Sequence, residues 1–177
     1  MIFTQTTLAG ACIIDLKKIE DERGFFAYLF CAKQAAEHGI ATNVAQVKLS
    51  SNKRKGTLRG MHLQVPPAAE QKLVRCIRGA IFDVAVDLRP DSPTFRNWVG
   101  AELTAANRRA MYLPPGVAHG YQTLTDSTEV MYFVSAAYSP SHARGVRWND
   151  PAFGIEWPLG APVVIHERDA GYPDFEV

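Results

Sequence analysis

Residues 81–88, Ile-Phe-Asp-Val-Ala-Val-Asp-Leu, set Phe82, Val84, Val86 and Leu88 against Asp83 and Asp87 with a period of two. That alternation predicts a half-buried strand with the aspartates on its solvent side. Comparable short β runs occupy residues 44–49, 72–77, 98–103, 110–113 and 129–134. Turn-rich stretches such as Arg89-Pro-Asp-Ser-Pro93 and Tyr138-Ser-Pro-Ser141 separate them. Only residues 32–38, stopped by Gly39, read as a helix. The pattern predicts an all-β sandwich or barrel in one domain spanning residues 1–177. The Pro-containing tail from Trp157 onward is expected to pack as an edge rather than trail as an arm.

Composition narrows the function classes. The 177 residues are 47% hydrophobic and 21% charged, enough for one well-buried core. Nineteen basic residues face 18 acidic ones. This balance argues against a general nucleic-acid or membrane surface, and any anionic ligand must be met by local basic residues. Cys12, Cys31 and Cys76 are odd in number and widely spaced, and the N-terminus lacks a basic segment followed by an apolar one. A cytosolic chain with reduced, non-catalytic thiols is the expectation. No apolar run approaches the ~20 residues that span a bilayer.

Two histidines stand in Gly/Pro-punctuated contexts, Lys55-Gly-Thr-Leu-Arg-Gly-Met-His62 and Pro114-Pro-Gly-Val-Ala-His119, which predicts that each ring sits at a strand end. A double sheet of jelly-roll type encloses an interior that ligands enter at an open end, so polar side chains on inward positions are informative. The candidates are Arg59, His62, Lys72, His119 and Tyr132. Simple alternation puts Arg59 and His62 on opposite faces unless Gly60 permits a bulge.

These motifs, with Asp21-Glu-Arg-Gly-Phe-Phe26, Lys72-Leu-Val-Arg-Cys76, Phe82-Asp-Val-Ala-Val-Asp-Leu-Arg89, Ser92-Pro-Thr-Phe95 and Trp148-Asn-Asp-Pro151, resemble the dTDP-4-dehydrorhamnose 3,5-epimerase family. The resemblance runs from about Arg23 to Asp169. It implies a cupin-type double-stranded β-helix with short flanking helices, a homodimer, no metal or organic cofactor, and a nucleotide-diphosphate sugar as substrate. It further implies that His62 is the base, Asp169 its partner, Tyr132 the proton donor on the other face and Lys72 the cation near an enolate oxygen. Arg23, Arg59 and His119 match positions that bind the diphosphate and neighbouring groups. Phe26 and Tyr138 match aromatic positions of the site, and Gln46, Lys48 and Arg168 complete the substrate-binding candidates.

The residues themselves also argue against a catalytic metal. A metal-binding cupin typically offers His-x-His plus a carboxylate in its first motif and a third His in its second. Here His62-Leu63-Gln64 and a lone His119 leave two, so a metal would need Glu70 or Glu129 as well. The departures from the family fall at Tyr28, Val47, Lys48, Leu49 and Ala143, where polar or acidic residues are usual, and they predict altered nucleoside contacts. A single-centre epimerase, a ketoisomerase and a non-catalytic sugar-nucleotide-binding protein remain the alternatives.

Overall fold

The structure, a computed structural model, describes residues 1–176. In chain order its elements are β1 (Ile2–Gln5), β2 (Cys12–Asp15), β3 (Ile19–Asp21), β4 (Gly24–Phe26), α1 (Ala32–Glu37), β5 (Gln46–Asn52), β6 (Thr57–Gln64) and β7 (Lys72–Arg78). They continue as β8 (Ala80–Asp87), β9 (Trp98–Thr104), β10 (Ala110–Leu113), β11 (Val117–Thr123), β12 (Thr128–Val134), β13 (Ala143–Gly145), β14 (Val164–Ile165) and α2 (Glu167–Ala170). Five of the six expected runs fall on β7, β8, β9, β10 and β12. The sixth strand begins at Gln46 rather than at residue 44. The expected helix ends at Glu37, with Gly39 just beyond it at φ +71°.

Two sheets face each other, in the orders β1-β2-β10-β7-β12-β5 and β13-β6-β11-β8-β9, with β14 running parallel to β6. β3 and β4 form a separate hairpin. This is an all-β double sheet of the jelly-roll kind. Between the sheets pack Val74 and Cys76 of β7, Ile81 and Ala85 of β8, Leu103, Met111, Val117, Tyr121 and Val130. A second apolar layer lies outside the β6-β11-β8 sheet. There Leu58, Met61, Val84 and Val86 are covered by Val146, Phe153 and Trp157. From Trp157 onward the tail joins this layer through Trp157, Ile165 and Phe175 and adds β14 beside β6, packed as its sequence predicts.

That second layer corrects the reading of residues 81–88. Because both faces of β8 are covered, Phe82, Val84 and Val86 look toward the tail, while Asp83 and Asp87 point inward and are fully buried. A strand that is almost continuously apolar is the signature of burial on two sides, and the two aspartates mark the inner face rather than the solvent.

Candidate functional site

The inner faces of β5, β6, β7, β11 and β12 diverge at one end into a cavity of about 630 Å³. Alternation selects its lining. On β7, Lys72, Val74 and Cys76 face inward while Leu73 packs outward near α1. On β12, Tyr132 is inward and Phe133 outward. On β11, His119 and Tyr121 share the inner face. On β6 the alternation is broken. His119 pairs with His62 and Tyr121 with Arg59, so Gly120 alone spans Gly60 and Met61. This extra residue turns both Arg59 and His62 into the cavity, the bulge that Gly60 permits. A Cβ at Gly60 would lie 2.4 Å from the Gly120 Cα and 2.8 Å from the His119 carbonyl oxygen, at φ +127°. Only glycine fits there. His62 is the sixth of eight residues in β6 and His119 the third of seven in β11, so the histidines sit within strands rather than at their ends. The bulge, not a strand terminus, exposes the imidazole.

The tail supplies the partner of His62. β14 adds to β6 at Thr57 and Leu58, and the chain then turns into α2, capped by His166. This delivers the buried Asp169, whose Oδ1 lies 2.7 Å from His62 Nε2 and whose Oδ2 accepts from the Gly60 N–H at 3.1 Å. Burial alone would raise the pKa of Asp169. The hydrogen bonds from His62 and Gly60, with the charge of Arg168, outweigh it and hold the carboxyl below its ordinary range. A carboxylate only accepts, so Nε2 carries the hydrogen and Nδ1 is the ring nitrogen with a free lone pair. Arg168 Nε lies 3.4 Å from the same carboxylate oxygen.

Across the cavity, burial raises the Tyr132 hydroxyl pKa well above its ordinary value, with Tyr121 and Asp83 adding to the effect and Arg59 opposing it. The phenol is therefore kept protonated. The Lys72 ammonium donates to the His62 carbonyl oxygen at 3.1 Å and pairs with Glu70 at 3.2 Å. Burial lowers its pKa, against the raising effect of Glu70. His119 Nε2 lies 2.7 Å from Asp83 Oδ1, forming a second, fully buried histidine–aspartate pair. Burial pushes the Asp83 pKa up despite His119 and Lys72.

Of the residues proposed from sequence, Lys48, Arg59, His62, Lys72, His119, Tyr132, Tyr138, Arg168 and Asp169 line this cavity. Gln46 borders it, accepting from the Tyr138 backbone N–H at 3.2 Å. Arg23 and Phe26 lie elsewhere, on the β3–β4 hairpin, where Arg23 pairs with Asp21 and the Phe26 ring meets Tyr28 edge-on. Val47 and Leu49 alternate outward from β5 and are 57% and 62% exposed, whereas Lys48 faces in. Tyr28 and Val47 thus lie outside the cavity of their own chain, whereas Leu49 and Ala143 border it. Sequence reasoning missed Asp83, Tyr121 and Tyr172 as members of the site and weighed Glu70 only as a metal ligand. Tyr121 was findable by counting two residues on from His119. Among the described residues, no three His, Cys, Asp or Glu side chains form a metal-holding group.

The sequence profile of dTDP-4-dehydrorhamnose 3,5-epimerase matches residues 5–176. The chain belongs to this family. The enzyme of that name from Sinorhizobium fredii is 42% identical over 173 residues, covering 98% of this chain and 89% of the relative. The Bacillus anthracis enzyme, solved with TDP and PPi bound, superposes with a TM-score of 0.93 at 38% identity, covering 98% and 99% of the two chains. A 3'-monoepimerase from Streptomyces bikiniensis, solved with dTDP-quinovose, gives 0.87 at 32% identity over 96% and 85%. The family is one of isomerases with a cupin-type fold, in agreement with the two sheets described above.

Proposed function

We propose that the chain inverts C3 and C5 of a nucleotide-diphospho-4-keto-6-deoxyhexose, dTDP-4-dehydro-6-deoxy-D-glucose by family, through an enolate in deoxysugar biosynthesis. The observation that carries the reading is the placement of the His62–Asp169 pair on one sheet and Tyr132 on the other, with Lys72 beside them. The C4 ketone acidifies the hydrogens at C3 and C5. His62 Nδ1 takes one of them, and Asp169 holds the tautomer and supports the imidazolium. The negative charge moves to the C4 oxygen, where the Lys72 ammonium meets it as it develops. Tyr132 then gives its phenolic proton to the opposite face of the carbanion carbon, which inverts the centre. Arg59 and His119 address the diphosphate end, a role suited to the guanidinium fork of Arg59.

We further propose that the protein works as a homodimer. β5 is the edge of its sheet, with Val47 and Leu49 bare, and the hairpin segment exposes Ile19, Phe25, Phe26 and Tyr28. An uncovered edge beside exposed apolar side chains supports association. In such a dimer Arg23 and Phe26 serve the neighbouring cavity. Light scattering should report twice the 19.5 kDa chain mass; a monomer would remove this part of the reading.

The central test is incubation in D₂O with dTDP-, CDP- and GDP-linked 4-keto-6-deoxyglucose, followed by NMR. Deuterium at both C3 and C5 with inversion is expected. Label at one carbon would favour the single-centre alternative, and no label with any nucleotide would leave a binding protein.

A further inference from the structure

Two residues before Lys72, and facing the same cavity, stands a carboxylate that the proposed reaction leaves unused. Glu70 is 8% exposed. The segment that carries it is pinned on both sides: Gln64 Nε2 donates to the Ala68 carbonyl oxygen at 2.9 Å, the Gln71 N–H donates to Ser135 Oγ at 3.0 Å, and Gln71 Oε1 accepts from the Tyr112 hydroxyl at 2.6 Å. These bonds hold Glu70 in place beside its neighbour. Its Oε1 lies 3.2 Å from Lys72 Nζ, while Oε2 is buried without a hydrogen-bond partner. Among the described residues, Lys72 is thus the partner of the Glu70 carboxylate.

An ammonium carries three hydrogens. One goes to the His62 carbonyl oxygen at 3.1 Å and one to Glu70 Oε1, so tetrahedral geometry fixes the direction of the third, which is left for the cavity that Lys72 lines. We propose that Glu70 is a positioning residue of the reaction: with the His62 carbonyl oxygen it takes up two of the Lys72 hydrogens, so that the third meets the C4 oxygen as charge develops there. The inference rests on Lys72 being the oxyanion partner in the proposed reaction. A donor already aimed costs no reorganisation when the enolate forms. The carboxylate also sustains the charge. Burial is the largest influence on Lys72 and lowers its pKa, and Glu70 is the largest that raises it. Of the other ionisable groups nearby, Lys48 on β5 opposes the ammonium and Asp83 on β8 supports it. His62 on β6, His119 on β11 and Tyr132 on β12 complete the set facing the same cavity.

Two substitutions separate aim from charge. Glu70→Gln keeps the reach and an acceptor oxygen but loses the charge, whereas Glu70→Asp keeps the charge and draws the oxygen back by one methylene. Each variant is followed by NMR titration of the Lys72 side chain in ligand-free protein carrying isotope-labelled lysine, with Lys72→Met assigning the signal. The pH profile of deuterium wash-in at C3 and C5 is the second readout. Glu70→Gln should lower the Lys72 midpoint by about 1–3 pH units, and the alkaline limb of the rate profile should move down with it. Below that limb the variant should stay within about tenfold of wild type. Glu70→Asp should keep the wild-type midpoint but lower kcat by roughly 10–10²-fold with little change in KM, since displacing a group by about 1 Å can cost that much. A packing role would produce neither split. An unmoved Lys72 midpoint in Glu70→Gln, or equal losses in both variants at every pH, would overturn the inference. Full activity in both while Lys72→Met is crippled would also overturn it, and would leave Lys72 at the oxyanion. Wild-type exchange in Lys72→Met would overturn the reading of Lys72 itself, and the role of Glu70 with it.

Discussion

Replacing Asp169 with Asn removes one charge and almost no volume, and the two contacts of the carboxylate make the outcome calculable. Oδ2 accepts from the Gly60 N–H and Oδ1 sits 2.7 Å from His62 Nε2. An amide has one acceptor for these two donors. If its oxygen stays with Gly60, its NH₂ faces Nε2, which must then accept; the ring hydrogen moves to Nδ1, the atom that should take the substrate proton. If the amide is turned round, the tautomer survives, but NH₂ opposes the Gly60 N–H in a buried place, at a cost of about 1–3 kcal/mol. Both arrangements also lose the charge that supports the imidazolium. A carboxylate-to-amide change behind a catalytic histidine has cost ~10⁴ in kcat in a serine protease, and proton-transfer groups generally contribute ~10²–10⁴. A fall of roughly 10³ in solvent-deuterium incorporation at C3 and C5 is therefore expected. The same sample should bind dTDP by calorimetry as wild type does, since the residues proposed to meet the diphosphate, Arg59 and His119, are other than Asp169. If Asp169→Asn exchanges within about tenfold of wild type while His62→Asn is dead, the tautomer argument is wrong.

Tyr132→Phe should separate two readouts. Deuterium should still wash in with retained configuration, because His62 can return a proton to the side it came from, while inverted product falls by ~10²–10⁴; equal losses of both would assign the ring to packing. A stability prediction concerns Asp87, where burial would raise the pKa but hydrogen bonds from Arg89, Ser92 and Thr94 bring it down to about 2. Against an unfolded value of ~3.9, that shift is worth about 2–3 kcal/mol. A depressed carboxyl pKa stabilises fully above the unfolded value, and the contribution disappears as pH falls through the folded one. Asp87→Asn should thus lower the melting temperature by roughly 5–10 °C at pH 7 and by much less near pH 2. An equal deficit at both pH values would rule out the charged network as its source.

The strands that build the site were legible where alternation was clean. Residues 72–77 and 129–134 show their inner sets directly, and these include Lys72 and Tyr132. The Gly60 irregularity was legible as a condition, since Arg59 and His62 could share a face only if it existed. What could not be read is sidedness under a second cover. Asp83 looked solvent-facing because the alternation of the two aspartates was read ahead of the nearly continuous apolar run, the one local sign that Phe153 and Trp157 return to cover the opposite face. On β5 the same limit applied, since an edge strand with mixed residues does not declare that Lys48 faces the cavity while Val47 and Leu49 face away. The short strands β1 to β4, β13 and β14 lack any run long enough to show a period. Asp169 was reachable only through family resemblance, because local pattern does not connect residues so far apart in sequence.

That separation bears on the order in which the molecule becomes an enzyme. His62 and Asp169 are 107 positions apart, and the second arrives on a strand of two residues, β14, followed by a single helical turn. A chain emerging from the ribosome can pair β1 to β13, bury Tyr132 and form the Lys72–Glu70 pair before residues 164–170 exist outside the tunnel. Until then its imidazole has no carboxylate to fix it. Catalytic competence therefore follows closure of the strand framework, and a protease cut near Gly160, which severs the segment carrying Asp169 from β1 to β13, should silence the enzyme before it costs most of the fold.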